Sequence, residues 1–229
     1  MTSGKVLEET LKANLIEYFH SLSFEYFHHY ENSFFWKKET NIQYRLEIQS
    51  KSFSIGEYCE LSITFWDIED IIIDIELPHR TKTELLSYRD FRRTIIDQNL
   101  LSILNQNGLI KATSIDECIV LCKSIIDYME DEGRKFFEKY SNLPNILEQM
   151  NILEKEGKNW NGLYGEGGIL CGGFESNFVG LIISKLCNDA DFERKFQYIK
   201  SKATLKSQWL PYLEKLKERL KTVQPIYNV

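Results

Sequence analysis

Near Arg80 the hydrophobic rhythm of this 229-residue chain changes. Residues 42–77 repeat with period two, and most apolar residues after them recur at helical spacing. Ile42, Tyr44, Leu46 and Ile48 alternate with Gln43, Arg45, Glu47 and Gln49. Ile71, Ile73, Ile75 and Leu77 likewise alternate with Asp70, Ile72, Asp74 and Glu76. Alternation of this kind predicts strands with one buried and one wet face. With the aromatic stretch from Phe24 to Trp36, the expected strands lie near 24–30, 33–38, 41–50, 57–66 and 69–77. Their short connections permit only antiparallel neighbours, hence a meander.

Helices are expected on both sides of this block. Leu7, Leu11, Leu15, Tyr18, Phe19 and Leu22 form one apolar stripe on a helix from Lys5 to Leu22. After Pro78 the spacing predicts a helix over 85–104, stopped by Asn107 and Gly108. Ser114 and Glu117 fit a capping box at the head of the next helix, and Pro144 suits the first turn of a shorter one. Three more are expected near 175–187, 190–201 and 205–221, with Pro211 delaying the continuous part of the last to Leu210. The fold class is therefore α+β: an antiparallel meander of four to five strands packed against helices, with a C-terminal helical extension. Residues 1–156 are read as the sheet domain with its covering helices. Residues 157–229 supply a glycine-rich loop and helices packed on the same body.

Composition narrows the classes of function. With 43% apolar and 27% charged residues the chain reads as globular, and its net charge of −6 disfavours nucleic acid as a partner. The charge is uneven: from Asp189 onward nine Lys/Arg face five Asp/Glu, a local +4 that leaves −10 on the rest. No apolar run follows Met1, so neither a signal peptide nor a membrane association is expected. Five cysteines without CxxC spacing fit reduced thiols in a cytoplasmic protein.

Residues 157–173 hold seven of the twelve glycines. Gly168 and Gly173 have phosphate-loop separation, but Phe174 and Glu175 stand where Lys and Ser/Thr belong, and Leu170 replaces the third glycine of a dinucleotide fingerprint. Cys118 and Cys122 share a helix face but offer two zinc donors where four are needed. The four histidines have no ligand-like spacing, so no metal, no cofactor and no catalytic residue is assigned. Acidic residues remain. Asp70, Asp74 and Glu76 would lie on one side of a strand, with Glu60 on the same polar sheet face. Such a face would dock a basic protein partner, aided by Tyr164 and Glu166 of the glycine-rich loop. The competing reading is a small-molecule or metal-dependent hydrolase using Asp74, Glu76 and His79.

Two stretches carry a family resemblance. The run from Phe34 to Lys38, continuing into Tyr44–Ile48, is similar to the lysine-marked first hairpin of the bacterial domain-of-unknown-function family 4304 and its relatives. The run from Phe136 to Leu143 resembles that family's aromatic helix end. The match covers roughly residues 10–150, and Ser23 stands where the family has glycine. The resemblance implies an uncharacterised bacterial α+β protein with no catalytic residues to carry over. By class analogy, an acidic protein of this kind would be an immunity or regulatory factor.

Overall fold

The computed structural model describes residues 2–97, 99–162 and 167–229. A five-stranded antiparallel sheet runs in the order β1 (Glu25–His29), β2 (Asn32–Lys38), β3 (Ile42–Lys51), β4 (Ser54–Phe65) and β5 (Ile95–Ile96). The meander and the α+β class follow the alternation in the sequence. Two compact units divide the chain: residues 1–63 with 96–139, and residues 64–95 with 140–229.

In the first unit, α1 (Gly4–Ser21) buries Leu7, Leu11, Leu15 and Phe19 completely. Its stripe meets the sheet where Phe19 stacks on Phe35 at 4.6 Å. Ser114 caps α5 (Ile115–Tyr128) in the expected capping box, its Oγ accepting the Glu117 amide at 3.2 Å. α4 (Asn99–Gln106) packs on α5, and α6 (Arg134–Tyr140) brings Phe137 against Phe24 and Tyr44.

The second unit contains α2 (Trp66–Ile75), α3 (Lys82–Ser87), α7 (Leu143–Lys155), α8 (Glu175–Leu186), α9 (Phe192–Leu205) and α10 (Leu210–Leu220). α8 is buried on nearly every side because α2, α7, α9 and α10 all pack on it. Gly180 admits the Trp160 ring so closely that a Cβ there would lie 2.4 Å from Trp160 Cε3. α10 begins at Leu210 with Pro211 in its first turn, as the proline predicts.

Three expectations are corrected. Residues 69–77 are not a strand, because Trp66–Ile75 form α2. A run of isoleucines satisfies both periods, but the exposed acids Asp67, Asp70 and Asp74 are spaced by three and four, the helical interval. Burial of Ile68, Ile71, Ile72 and Ile75 then outweighs the strand preference of β-branched residues. Second, the helix over 85–104 is broken into α3, a short 3₁₀ turn at Arg89–Phe91, β5 and α4. Third, the polar face of the sheet is not wet: Gln43, Arg45, Glu60, Ser62 and Thr64 are all buried. Arg45 Nε donates to Ser62 Oγ at 3.3 Å, so polar groups of that face bond to one another in place of water.

Candidate functional site

The residues singled out in the sequence are dispersed. Glu60 is a buried β4 residue of the first unit whose carboxylate accepts the Tyr58 hydroxyl at 2.5 Å. Asp70 and Asp74 are exposed on α2 in the second unit. Arg89 grips Asp70 through two bonds of 3.0 Å while stacking over Trp66 at 4.3 Å. Asp74 accepts Lys82 Nζ at 2.7 Å and lies 3.6 Å from Arg219. Glu76 accepts Lys215 Nζ at 2.9 Å and the Lys82 amide at 3.2 Å, and these two contacts hold its carboxyl below the usual range. The three carboxylates are thus each neutralised by a cation of this chain, and Glu60 belongs to the other unit. Tyr164 and Glu166 lie outside the described residues.

The hydrolase grouping is not assembled either. Asp74 and Glu76 meet the cations of α3 and α10, whereas His79 lines a separate cleft. Among the described residues no group of three or more His, Cys, Asp or Glu is placed to hold a metal ion.

That cleft, in the second unit, has a volume of about 850 Å³. Two of its lining residues, Arg92 and Glu175, belong to an ion triad with buried Glu69. The Glu69 side chain, fully buried on α2, accepts Arg92 Nε at 2.5 Å and Thr94 Oγ1 at 2.8 Å. Arg92 also contacts Glu175 in the first turn of α8. The 92–94 segment is fixed by its backbone: the Arg92 carbonyl accepts the Thr64 hydroxyl at 2.6 Å, and the Thr94 carbonyl accepts the Cys171 amide at 2.9 Å. Burial opposes the Arg92 charge, but Glu69 and Glu175 outweigh it and keep the guanidinium protonated above its ordinary range. Burial pushes the Glu175 carboxyl up, against the pull of Arg92.

One wall is built by a turn and a short helix. Pro78 and His79 occupy the centre of a turn closed by the Arg80 amide on the Leu77 carbonyl at 3.0 Å, and His79 has φ +63°. This is the arrangement of a type II turn, with proline second and a left-handed residue third. It delivers Arg80 to the cleft rim. Thr81 then caps α3 in a reciprocal box with Glu84, whose carboxyl is held down chiefly by the Thr81 amide. Tyr88 and Phe91 continue the wall. The opposite side is Cys171, Gly172 and Gly173, the end of the glycine-rich stretch. Gly172 has φ +91°, which favours glycine, and a Cβ on Gly173 would meet nothing within 4 Å.

Arg80, Arg92 and Arg93 therefore face Glu84 and Glu175 across the same space. Arg92 is saturated by its two carboxylates. Arg80 is exposed and draws on Glu84 and Glu175 only at longer range, making no side-chain hydrogen bond or ion pair among the described residues. Sequence reasoning found His79 and the glycines but missed Glu69, Arg92 and Thr94. The available signal was that Glu69 is out of step with the exposed Asp67, Asp70 and Asp74.

No family model matches the chain, and neither a curated protein nor a solved structure matches it.

Proposed function

We propose that the chain is a non-catalytic binding protein whose second unit receives an anionic group of its ligand in the Arg80 cleft. The observation that carries this reading is the contrast between two neighbouring arginines. Arg92 is committed to Glu69 and Glu175, while Arg80 lines the cavity with no ion-pair partner among the described residues. A guanidinium offers planar, paired donors that suit carboxylate and phosphate oxygens. The volume of about 850 Å³ falls in the range of small-ligand clefts. Tyr88 and Phe91 add flat surface beside the charge. Docking of a basic partner has less support, because Asp70, Asp74 and Glu76 are already paired internally.

Titration calorimetry with inorganic phosphate, citrate and a nucleoside triphosphate tests the reading. At least one of these anions is expected to bind, and Arg80→Glu should weaken it at least tenfold. Asp74→Lys should leave that affinity unchanged. Absence of binding by all three probes, or equal affinity in the Arg80→Glu variant, would refute it. Turnover of a bound probe would transfer the cleft to the hydrolase reading.

A further inference from the structure

We infer that β1 is a self-pairing edge, through which two copies of this chain join their sheets antiparallel about a two-fold axis at Phe27. The register within the first unit determines which backbone groups face outward. His29 pairs with Asn32 across the two-residue turn at Tyr30 and Glu31, Phe27 with Phe34, and Glu25 with Trp36. The pair that closes a two-residue turn exchanges its own hydrogen bonds, and such pairs alternate along an antiparallel ladder. Glu25, Phe27 and His29 therefore turn their amides and carbonyls towards β2, while Tyr26 and His28 turn theirs to the open side. β1 is the end of the strand order, and no backbone hydrogen bond among the described residues uses those outward groups.

A second copy of β1 fits that edge in one register. With Tyr26 opposite the partner's His28, and His28 opposite the partner's Tyr26, four backbone bonds form between groups that already point outward. Phe27 then meets the partner's Phe27 as the closer, non-hydrogen-bonded pair, with Cα atoms about 4.5 Å apart. Glu25 falls opposite the partner's His29, an acid facing an imidazole at each end. Phe27 is 37% exposed and already stacked on Trp36 at 4.9 Å with an 8° tilt, so the joined sheets would share an aromatic ladder. Two of the usual guards against edge pairing are missing, since β1 contains neither proline nor lysine. A five-residue seam is small, so the dimer is expected to be weak and concentration-dependent.

Sedimentation of the full chain over a wide concentration range, with two variants, tests this. Wild type should shift from monomer to dimer as concentration rises. Phe27→Lys, which sets like charges across the axis, should abolish the dimer without changing the circular dichroism spectrum. In a Cys171→Ser background, Phe27→Cys should form an intermolecular disulfide under mild oxidation, because the paired Cα separation suits one; Cys171→Ser alone should not cross-link. Wild type that stays monomeric, a dimer unaffected by Phe27→Lys, or Phe27→Cys that fails to cross-link would each overturn the inference. A monomer whose β1 edge binds an added extended peptide would also overturn it, giving the edge to another protein.

Discussion

Arg92 Nε lies 2.5 Å from Glu69 Oε2, and this contact joins the buried face of α2 to an arginine that lines the cleft. Both side chains are withdrawn from solvent, at 10% and 0% exposure. A buried charge is costly unless paired, and removing one partner leaves the other uncompensated.

Arg92→Leu should destabilise the protein by about 3–5 kcal/mol at neutral pH, since it strands two carboxylates. Burial already raises the Glu175 carboxyl, and without the guanidinium nothing at this site would pull it back. The penalty is then present above that raised value and relieved as pH falls towards the unfolded value of about 4.3. Urea unfolding should therefore show a variant that recovers stability on acidification, and Glu69→Gln added to Arg92→Leu should recover part of the loss at neutral pH. An Arg92→Leu midpoint that falls further on acidification would contradict this account.

Asp189 and Lys195 give the opposite pH sign. Lys195 is fully buried, and its Nζ reaches Asp189 at 2.7 Å and Asn151 at 2.5 Å. Burial raises the Asp189 carboxyl, but the Lys195 bond and the Asp191 amide outweigh it and leave the group below its ordinary range. The contribution is thus present above the unfolded value of about 3.9 and lost as pH falls through the folded one. Asp189→Asn should cost about 3 kcal/mol at pH 7 and flatten the acid limb of stability against pH. Denaturation curves from neutrality down into the acid range would measure both effects.

Thiol chemistry should separate one cysteine from four. Cys59, Cys118, Cys122 and Cys187 are buried, and burial pushes the Cys187 thiol up to about 12. Cys171 is partly exposed at the cleft. A thiol reagent should label one site rapidly in the native protein and the rest only after unfolding. Mass spectrometry should find the native label on Cys171, and a ligand seated in the cleft should slow it.

Gly180→Ala should destabilise, although alanine is the better helix former by about 1 kcal/mol. The added Cβ would lie 2.4 Å from the Trp160 ring, and that ring is 6% exposed, with little room to retreat. A loss of roughly 1–3 kcal/mol is expected from overpacking, with a shift in tryptophan fluorescence.

The sequence alone determined α1, the meander from Phe24 to Phe65, both proline-led helices α7 and α10, and the α5 capping box. Each rests on local physics: a repeated period, a short connection, a fixed φ or a side chain that satisfies its own helix end. It misled over Trp66–Ile75, where the alternation predicts a strand, because consecutive isoleucines fit either period and the burial around them selects the helix. The polar sheet face was legible as polar, but whether water reaches Arg45 and Gln43 is a tertiary question. The cleft shows the same division. Its glycine wall and His79 stood out as residue types, whereas the Glu69–Arg92–Glu175 triad gathers positions up to 106 residues apart. Coulomb energy depends on distance in space, and no spacing along the chain records that distance.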